Sequence, residues 1–418
     1  MPPKRVAITG LGLVSPFGGG LEDFFDRLLG GESSVRPYTP ADSPQPVNIA
    51  AVRCEQFDSA ALLTPGEVHT MDRYAQLGAA AAYAAWRDAG LRDDDEERID
   101  AGISWGTAMG GVLTSDTGYR DLYLRQRARI SPLSVVLGMN NAAAAHIAIR
   151  LGLAGPCLTY SVACASAATA IGEALLRIRR GELTTMLAGG SDAPLAFGVV
   201  RAWEAMRVLA PPNGESTARA CRPFSADRDG LVLAEGAGAL VLEEWSHANE
   251  RGARIYGELA GYGTTCDHRH LVRPTPGGQI RAMQLAILDA GMAPDAIDYI
   301  NAHGTATRDG DEAEITAIRA VFGGRARDIP VSSTKSMHGH SLGAAGAVEA
   351  IVSVLALYRD SLPPTAHLQD VDNNCSGVSH IIGPPLTGRG ARVAISNSFA
   401  FGGTNAVLAF RAPRSTAR

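Results

Sequence analysis

The sequence predicts an α/β protein in which helices cover a mostly parallel sheet and two similar layered halves follow one another. Apolar runs typical of buried strands alternate with alanine-rich helical patterns along the 418 residues. A hydrophobic content of 46% and 47 glycines are typical of an ordered globular chain rather than a disordered one. The halves, 1–255 and 256–418, share a similar succession of elements, and no linker-like segment separates them.

The elements of the first half are predicted from apolar runs and the residues that bound them. Residues 5–15 predict a strand and a turn, and residues 71–90 predict a helix that stops at Gly90. The segment 157–163 predicts a strand that leads directly into a helix over 165–181. The other predicted elements are helices at 20–31 and 130–152, a strand at 186–192, and a strand followed by a helix within 230–253.

The second half continues this alternation and is predicted to end in a hairpin. The segment 390–412 contains two apolar runs joined by a glycine-rich turn. Before it, strands are predicted at 257–265, 297–304 and 329–335, and helices at 279–291, 311–323 and 343–358.

Composition excludes several classes of function. The net charge of -5 supplies no positive field for nucleic acid, and no apolar run approaches the length of about 18 residues that spans a membrane. The opening residues lack the apolar segment of a secretory signal, so we expect a cytoplasmic protein with reduced cysteines. The six cysteines form no CxxC pair, which argues against zinc.

The glycine-rich stretch GLGLVSPFGGG, residues 10–20, does not predict a dinucleotide site. Its glycines do not match GxGxxG at the start of a helix. No acidic residue ends a second strand about 20 residues later. The stretch indicates a tight turn.

Cys164 is the first candidate for chemistry because it stands between a predicted strand and a predicted helix. Backbone N–H groups at a helix N-terminus stabilise an anion, so this position predicts a lowered thiol pKa and an available thiolate. The small neighbours Ala163, Ala165 and Ser166 leave room for a substrate carbonyl. A buried structural cysteine fits the residue equally well when it is considered alone.

His303 is the second candidate, within NAHGTATRDGDEAE. It ends an apolar strand and precedes the hydroxyl residues Thr305 and Thr307. The carboxyl edge of a sheet is where α/β proteins build sites. A histidine that caps the strand by hydrogen bonding is the alternative.

The third cluster, VSSTKSMHGHSLGAAGAVEA, contains Lys335, His338, His340 and Glu349. Lys335 is one of only two lysines, with Lys4, among 38 basic residues, which indicates a position that arginine cannot fill. Glu349 lies in an apolar helical stretch, where a buried carboxylate requires a partner. The two histidines have no acidic or cysteine ligand near them in sequence, which argues against a metal site.

The fourth cluster is the turn SNSFAFGGTN, residues 396–405, which contains Phe399 and Phe401. Backbone N–H groups in such a turn can stabilise an oxyanion, and the aromatic rings can gate a pocket. An ordinary tight turn is the alternative. Together, the four clusters fit nucleophilic catalysis with acid–base or electrostatic partners.

With these clusters in place, the chain resembles the β-ketoacyl-acyl carrier protein synthases of thiolase fold, especially the elongating type II enzymes and the type II polyketide ketosynthases. The resemblance runs from VAITGLGLVSPFG to NSFAFGGTNAVLAF. It includes the long blocks PFSADRDGLVLAEGAGALVLEE, NAHGTATRDGDEAE and STKSMHGHSLGAAGAVEA. It implies a thiolase-like fold with a duplicated, layered α-β-α-β-α architecture.

The resemblance implies that Cys164, His303 and His340 form the active site. The acyl group would pass from the phosphopantetheine thiol of an acyl carrier protein to Cys164. Malonyl-carrier protein would then lose CO2, and the enolate would attack the acyl thioester to give a 3-oxoacyl-carrier protein two carbons longer. The histidine N–H groups would stabilise the enolate oxygen, and no cofactor or metal is implied.

The resemblance also implies supporting roles for three residues around these three. Lys335 and Glu349 match a pair that holds the histidines and sets the local charge. Phe401 matches the gate to the acyl pocket, and its N–H group with that of Cys164 would form the oxyanion hole.

Substrate contacts follow from the same resemblance. Thr305 and Thr307 match the hydroxyls that bind the pantetheine arm. Met109 occupies the position that limits pocket depth, and Phe399 and Ala400 fall within the substrate-binding turn.

An acidic carrier protein and a dimer partner are implied as well. Arg207 and the run Arg125, Arg127 and Arg129 fit contacts that steer the carrier protein, with a solvated surface as the alternative. The partner subunit would be a second copy in a homodimer, or a chain-length factor-like homologue in a heterodimer.

Two positions depart from the family pattern. Ala400 stands where a glycine usually precedes the gating phenylalanine, and alanine would be strained there if the position required a positive φ. His338 replaces a small hydroxyl residue and would either alter substrate choice or point outward.

Three other functions fit parts of the sequence. A noncatalytic chain-length subunit would lack the nucleophile, although the chain could be the catalytic half of such a pair. A thiolase would carry a second cysteine near the C-terminal turn, and a cysteine hydrolase would not need paired histidines. The arginine-rich bias favours a polyketide or polyene pathway over fatty acid synthesis, and the acyl chain length stays open.

Overall fold

The structure, a computed structural model, describes residues 3–18, 20–40, 43–92, 97–212 and 214–413. Eleven strands form one large sheet, and two small sheets of two and three strands accompany it. No helix within these ranges is long and apolar enough to cross a bilayer.

Strands and helices alternate along most of the chain, as predicted. The strands are β1 (Val6–Val14), β2 (Arg36–Tyr38), β3 (Ile49–Val52), β4 (Ala101–Gly106), β5 (Cys157–Tyr160), β6 (Thr185–Asp192), β7 (Leu233–Ala234), β8 (Gly236–Glu244), β9 (Gly257–Cys266), β10 (Tyr299–Asn301), β11 (Pro330–Ser332), β12 (Ser361–Leu362), β13 (Ser379–His380), β14 (Leu386–Thr387), β15 (Val393–Phe399) and β16 (Thr404–Arg411). The helices are α1 (Gly20–Leu29), α2 (Pro65–Thr70), α3 (Arg73–Asp88), α4 (Val112–Tyr123), α5 (Ser134–Gly138), α6 (Ala142–Leu151), α7 (Ser166–Arg179), α8 (Phe197–Met206), α9 (Trp245–Glu250), α10 (Pro276–Asp289), α11 (Arg308–Phe322), α12 (Lys335–His338) and α13 (Ala345–Tyr358).

Local signals in the sequence set several helix ends. The side chain of Asp72 accepts a hydrogen bond from the Tyr74 N–H group at the start of α3, and Gly90 takes a φ of 71° just beyond its end. The single helix predicted over 130–152 is wrong. Two helices, α5 and α6, occupy that region because Met139 is extended between them.

The large sheet is mixed, so the prediction of a mostly parallel sheet is wrong. Within the described residues, five of its strand pairs are parallel and five are antiparallel. The parallel pairs involve strands joined through helices, whereas β8, β9 and β16 each run antiparallel to their neighbours. Apolar strand segments that alternate with helices are compatible with parallel and with antiparallel pairing. The lengths of the connections alone do not distinguish the two.

The order of the sheet is β13-β11-β10-β15-β16-β9-β1-β8-β6-β4-β5, so strands from each half stay together. Short pairing between β1 and β9 joins the two sets. Helices α7 and α13 contact each other and also pack on strands of the sheet. Helix α3 packs on the first set of strands and α10 on the second, which gives the layered arrangement.

The centre of the molecule is an apolar cluster to which α7 and α13 both contribute. Helix α13 is buried from Ala345 to Leu357. A Cβ atom on Gly346 would lie 2.7 Å from the Ala168 nitrogen, so the glycine permits close approach of the two helices. This packing brings the segments that follow β5, β10, β11 and β15 to one region.

Candidate active site

Cys164 lies in a tight turn between β5 and α7. Residues Ala163–Ala165 form a short 3-10 helix, and Ala163 takes a φ of 50°, which is uncommon for a residue other than glycine. The Ser166 hydroxyl donates to the Ala163 carbonyl at 2.6 Å and accepts the Val162 N–H group at 2.9 Å. The strained turn is thus held by hydrogen bonds, and it places Cys164 on the wall of a cavity.

The thiol of Cys164 is neutral in the free protein, and the prediction of a lowered pKa is wrong. Burial raises the pKa of Cys164 to about 12. The positive charge of Lys335 and hydrogen bonds from the backbone of Phe401 and of Cys164 itself lower the pKa of the thiol, but they do not outweigh burial. The helix N-terminus does not by itself produce a standing thiolate.

His340 faces the sulfur. Its Nε2 atom lies 3.0 Å from Sγ of Cys164, and its backbone N–H group donates to the Val232 carbonyl at 2.7 Å. Burial and the charge of Lys335 hold the pKa of His340 well below its usual range. The ring is therefore neutral and can accept the thiol proton.

His303 completes the cluster after β10. Its ring lies 5.3 Å from the ring of His340, nearly perpendicular to it. Burial, then the charge of Lys335, holds the pKa of His303 well below its usual range. The Lys335 ammonium lies 3.5 Å from Nδ1 of His303, which favours Nδ1 as the unprotonated nitrogen and leaves the proton on Nε2.

Lys335 and Glu349 form a fully buried ion pair beside the histidines. The ammonium also donates to the His303 carbonyl at 2.7 Å. Burial raises the pKa of Glu349 to about 7, although Lys335 acts in the opposite direction. The pair therefore fixes the backbone of His303 and supplies a positive charge to the cluster.

Two buried carboxylates that the sequence analysis did not select also hold the site. Glu314 accepts the N–H groups of His303 and Gly304 at 2.8 and 2.7 Å. Asp192 accepts the N–H groups of Met109 and Gly343 at 3.0 and 2.7 Å. Asp192 was visible as an acidic group in apolar and small-residue surroundings, which signals a buried hydrogen-bond acceptor, whereas Glu314 lies in the charged run RDGDEAE and gave no such signal.

A cavity of about 410 Å³ opens at the Cys-His-His cluster. The predicted residues Thr305 and Thr307 line it, and their hydroxyls lie 3.0 Å apart. Arg207 also lines it, at the C-terminal end of α8. The other predicted residues on its wall are Cys164, His303, His340, Phe399, Ala400 and Phe401.

The turn between β15 and β16 contains no strain at Ala400. Its φ of -114° is extended, so an alanine is tolerated there, and the left-handed conformations fall on Gly402 and Gly403. The turn packs next to the segment that carries Cys164, and the backbone N–H groups of Phe401 and Cys164 both lower the pKa of the thiol. These two N–H groups are therefore the donors available to an oxyanion that forms beside the sulfur.

Some predicted residues lie away from the cavity wall. Met109 packs in the apolar cluster that includes Cys164 but does not line the cavity. Arg125, Arg127 and Arg129 are exposed, and the first two pair with Asp121.

His338 does not point outward. It is buried, its Nε2 atom lies 2.9 Å from the Thr334 hydroxyl, and its ring lies 6.3 Å from that of Phe24. Burial lowers the pKa of His338 to about 3. The side chain is therefore part of the core behind the site and does not reach the cavity.

Cys164, His303 and His340 are the one group of described His, Cys, Asp and Glu side chains whose ligand atoms lie close enough together to share a metal ion. The ammonium of Lys335 beside His303 opposes a second cation at this point. A neutral thiol facing two neutral imidazoles, at the end of a cavity, suits acyl transfer. The layered fold and this cluster define a thiolase-like condensing enzyme.

Comparison with known proteins gives the family. Residues 3–248 match the beta-ketoacyl synthase N-terminal domain, and residues 256–369 match the beta-ketoacyl synthase C-terminal domain. The chain therefore belongs to the beta-ketoacyl synthase family, whose members are acyltransferases that form carbon–carbon bonds.

Individual relatives match over nearly the whole chain. Nodulation protein E from Rhizobium sp. (strain N33) is 41% identical over 98% of this chain and 99% of its own length. The 3-oxoacyl-[acyl-carrier-protein] synthase 2 of Synechocystis sp. is 37% identical over 98% of each chain. A solved structure, the ishigamide ketosynthase/chain length factor, superposes with a TM-score of 0.92 at 33% identity and covers 98% of this chain and 100% of that one.

Proposed function

We propose that this chain is a ketosynthase that condenses an acyl group held on Cys164 with malonyl-acyl carrier protein, in type II polyketide or fatty acid biosynthesis. The observation that carries the proposal is the contact of 3.0 Å between Sγ of Cys164 and Nε2 of His340, with His303 facing the same point. Nucleophile, proton acceptor and second imidazole then meet at the end of one cavity.

The first half-reaction transfers the acyl group. The neutral thiol of Cys164 gives its proton to Nε2 of His340 as sulfur attacks the thioester carbonyl. The N–H groups of Cys164 and Phe401 hold the resulting oxyanion. The carbon–sulfur bond to phosphopantetheine then breaks, and the leaving thiolate takes the proton, so His340 returns to its neutral form.

The second half-reaction makes the carbon–carbon bond. Loss of CO2 from malonyl-carrier protein leaves an enolate whose oxygen accepts a hydrogen bond from Nε2–H of His303, and from His340 once the ring proton of His340 has moved from Nδ1 to Nε2. The enolate carbon attacks the acyl carbonyl, the bond to Cys164 breaks, and the departing thiolate takes one proton from the solvent. The products are 3-oxoacyl-carrier protein, CO2 and the free thiol.

A neutral His303 with its proton on Nε2 suits this second step. The Lys335 ammonium near Nδ1 favours that tautomer, and burial keeps the ring uncharged. A donor that is already oriented needs no reorganisation when charge develops on the enolate.

The cavity wall suggests how the substrate arm binds. Thr305 and Thr307 present hydroxyls for the amide groups of phosphopantetheine, and Arg207 lies at the same cavity for contact with an acidic carrier protein. Phe399 and Ala400 belong to the cavity wall, and Met109 packs behind it in the apolar cluster that includes Cys164, where it would limit the depth available to a longer acyl chain. Arg125, Arg127 and Arg129 add an exposed positive surface that steers the carrier protein.

A sister subunit would cover the edge of the large sheet at β5. Helices α4, α5 and α6, which lie next to each other in that part of the fold, expose a set of apolar side chains. An unpaired edge strand beside such a surface is suited to association, either with a second copy or with a chain-length factor-like homologue. The exposed apolar residues are Tyr119, Tyr123, Leu124, Ile130, Val135, Val136, Met139 and Ile149.

Both halves of the chain contribute residues to the proposed site. The half 1–255 carries the nucleophile and the half 256–418 carries both histidines, so the site forms only when the two pack together. Substrates arrive on the carrier protein, so the chain uses no cofactor of its own, and the reaction takes place in the cytoplasm.

Incubation with an acyl-carrier protein and malonyl-carrier protein tests the function. The expected product is a 3-oxoacyl-carrier protein two carbons longer than the acyl group supplied, detected by mass spectrometry. Cys164→Ala is expected to abolish it while circular dichroism stays unchanged, because the buried sulfur accepts no strong hydrogen bond that the fold requires. Undiminished elongation by this variant would overturn the assignment.

A further inference from the structure

Phe401, whose backbone N–H group is one of the two proposed oxyanion donors, is held by a second aromatic side chain. Its ring stacks on that of Trp203, with centroids 5.8 Å apart and an angle of 22° between the planes. Trp203 lies in the last turn of α8 and lines the same cavity. The stacked rings therefore connect α8 of the first half to the turn between β15 and β16 of the second half.

Backbone hydrogen bonds hold the turn on both sides of Phe401. The Ala400 N–H group donates to the Thr404 carbonyl at 2.8 Å, and the Gly403 N–H group donates to the Ala400 carbonyl at 3.1 Å. Gly402 and Gly403 both take a φ near 80°. The stacked indole acts on the Phe401 ring itself and so adds to these backbone restraints on the direction of the Phe401 N–H group.

We propose that Trp203 is a positioning residue that fixes the Phe401 N–H group at the sulfur of Cys164 and so supports acyl transfer in particular. The inference rests on the proposed function. Offset stacking between aromatic rings contributes about 0.5–1.5 kcal/mol beyond the burial of area. That energy favours one position of Phe401 over those in which its N–H group points away from the oxyanion.

The two half-reactions respond differently to loss of this contact. Acyl transfer uses the N–H groups of Cys164 and Phe401, whereas loss of CO2 from malonyl-carrier protein uses the histidines. A residue that acts through Phe401 affects the rate of acyl transfer and leaves the rate of decarboxylation unchanged. A residue required only for folding affects both.

Trp203→Leu and Trp203→Phe separate these cases. Acyl transfer is measured as the rate at which the protein gains acyl mass from acyl-carrier protein, with Cys164 intact. Decarboxylation is measured as CO2 release from malonyl-carrier protein by Cys164→Gln, with and without the Trp203 substitution. Trp245→Leu is the matched control, because Trp245 stacks against Arg5 and does not line the cavity.

Trp203→Leu is expected to slow acyl transfer by up to about tenfold, because about 1.4 kcal/mol, near the top of the range for aromatic stacking, corresponds to a factor of ten. CO2 release is expected to stay within about twofold, and Trp203→Phe, which keeps the stack, to restore most of the transfer rate. An equal fall in both reactions, or no fall in transfer, would overturn the inference. Failure of the unsubstituted protein to take up acyl groups would instead count against the proposed function.

Discussion

Nε2 of His340 lies 3.0 Å from Sγ of Cys164, and both side chains are buried. Burial acts on the two groups in opposite directions, since it raises the pKa of the thiol and lowers that of the imidazole. Each group is consequently uncharged at neutral pH. The pair stores no thiolate before substrate arrives, and the proton moves only as the new bond forms.

The separate role of His303 gives the first prediction. His303→Asn removes the oriented Nε2–H donor but leaves Cys164 and His340 in contact, so acyl transfer should stay within a few-fold. Decarboxylation should fall about 100-fold, the usual effect of losing one donor to a developing oxyanion. The two rates are measured separately, by acyl mass on the protein and by CO2 release. A larger fall in acyl transfer than in decarboxylation would contradict this division of roles.

The buried ion pair gives the second prediction. Lys335→Met leaves the Glu349 carboxyl without its cation and should cost about 3–5 kcal/mol of unfolding free energy. Lys335→Met combined with Glu349→Leu removes both charges and should recover most of that loss. Urea denaturation measures both variants. Equal destabilisation of the single and double variants would show that the charge pairing is not what holds this part of the core.

How far the sequence predicted this site depends on what each residue does. Cys164 and His303 could be selected because each follows an apolar strand, and chains that leave strand ends converge at one edge of a sheet. His340 could be separated from its neighbour His338 only through the resemblance to the β-ketoacyl synthases. Lys335 stood out because lysine is rare in this chain. These signals are local in the sequence, so they can be recognised without knowledge of the tertiary structure.

Other features depend on packing between distant segments, which no local pattern reveals. The pKa of Cys164 follows from burial by surrounding elements rather than from the helix that follows it. Trp203 and Phe401 meet across nearly 200 residues of sequence, and Glu314 reaches His303 from the next helix. The mixed character of the sheet was not predicted for the same reason. The direction of a strand depends on the path that the connecting segment takes before the strand pairs with its neighbour in the sheet.

His338 gives a prediction about pH. Its folded-state pKa of about 3 lies below the unfolded value of about 6.5, so the unfolded chain binds the additional proton. Its contribution to stability is therefore complete above about pH 6.5 and is lost as the pH falls. Between about pH 7.5 and pH 5.5 this loss is about 1.4 kcal/mol.

His338→Ser should accordingly show a pH dependence of unfolding free energy that is smaller by about that amount over the same interval. The other buried histidines remain in both proteins, so the difference isolates residue 338. Urea denaturation at the two pH values provides the measurement. Identical pH dependence in the variant and the parent would contradict a buried, uncharged His338.

The exposed apolar surface on α4, α5 and α6 gives a prediction about assembly. Val135→Asp places a charge in that surface and should convert a dimer to monomers, because burying an unpaired carboxylate is costly. Leu288→Asp is the matched control, since Leu288 on α10 is 73% exposed and Val135 is 72% exposed. Light scattering after gel filtration measures the mass. Dissociation by both variants, or by neither, would contradict this placement of the interface.

The role of Cys164 as the acyl acceptor is tested most directly by locating the residue that becomes covalently acylated. The protein is incubated with its acyl-carrier protein alone, digested, and analysed by peptide mass spectrometry. We expect the acyl mass on the peptide that contains Cys164, and its release as 3-oxoacyl-carrier protein when malonyl-carrier protein is added. Acyl mass on another cysteine, or a Cys164 adduct that malonyl-carrier protein does not discharge, would contradict the assignment of Cys164 as the acyl acceptor.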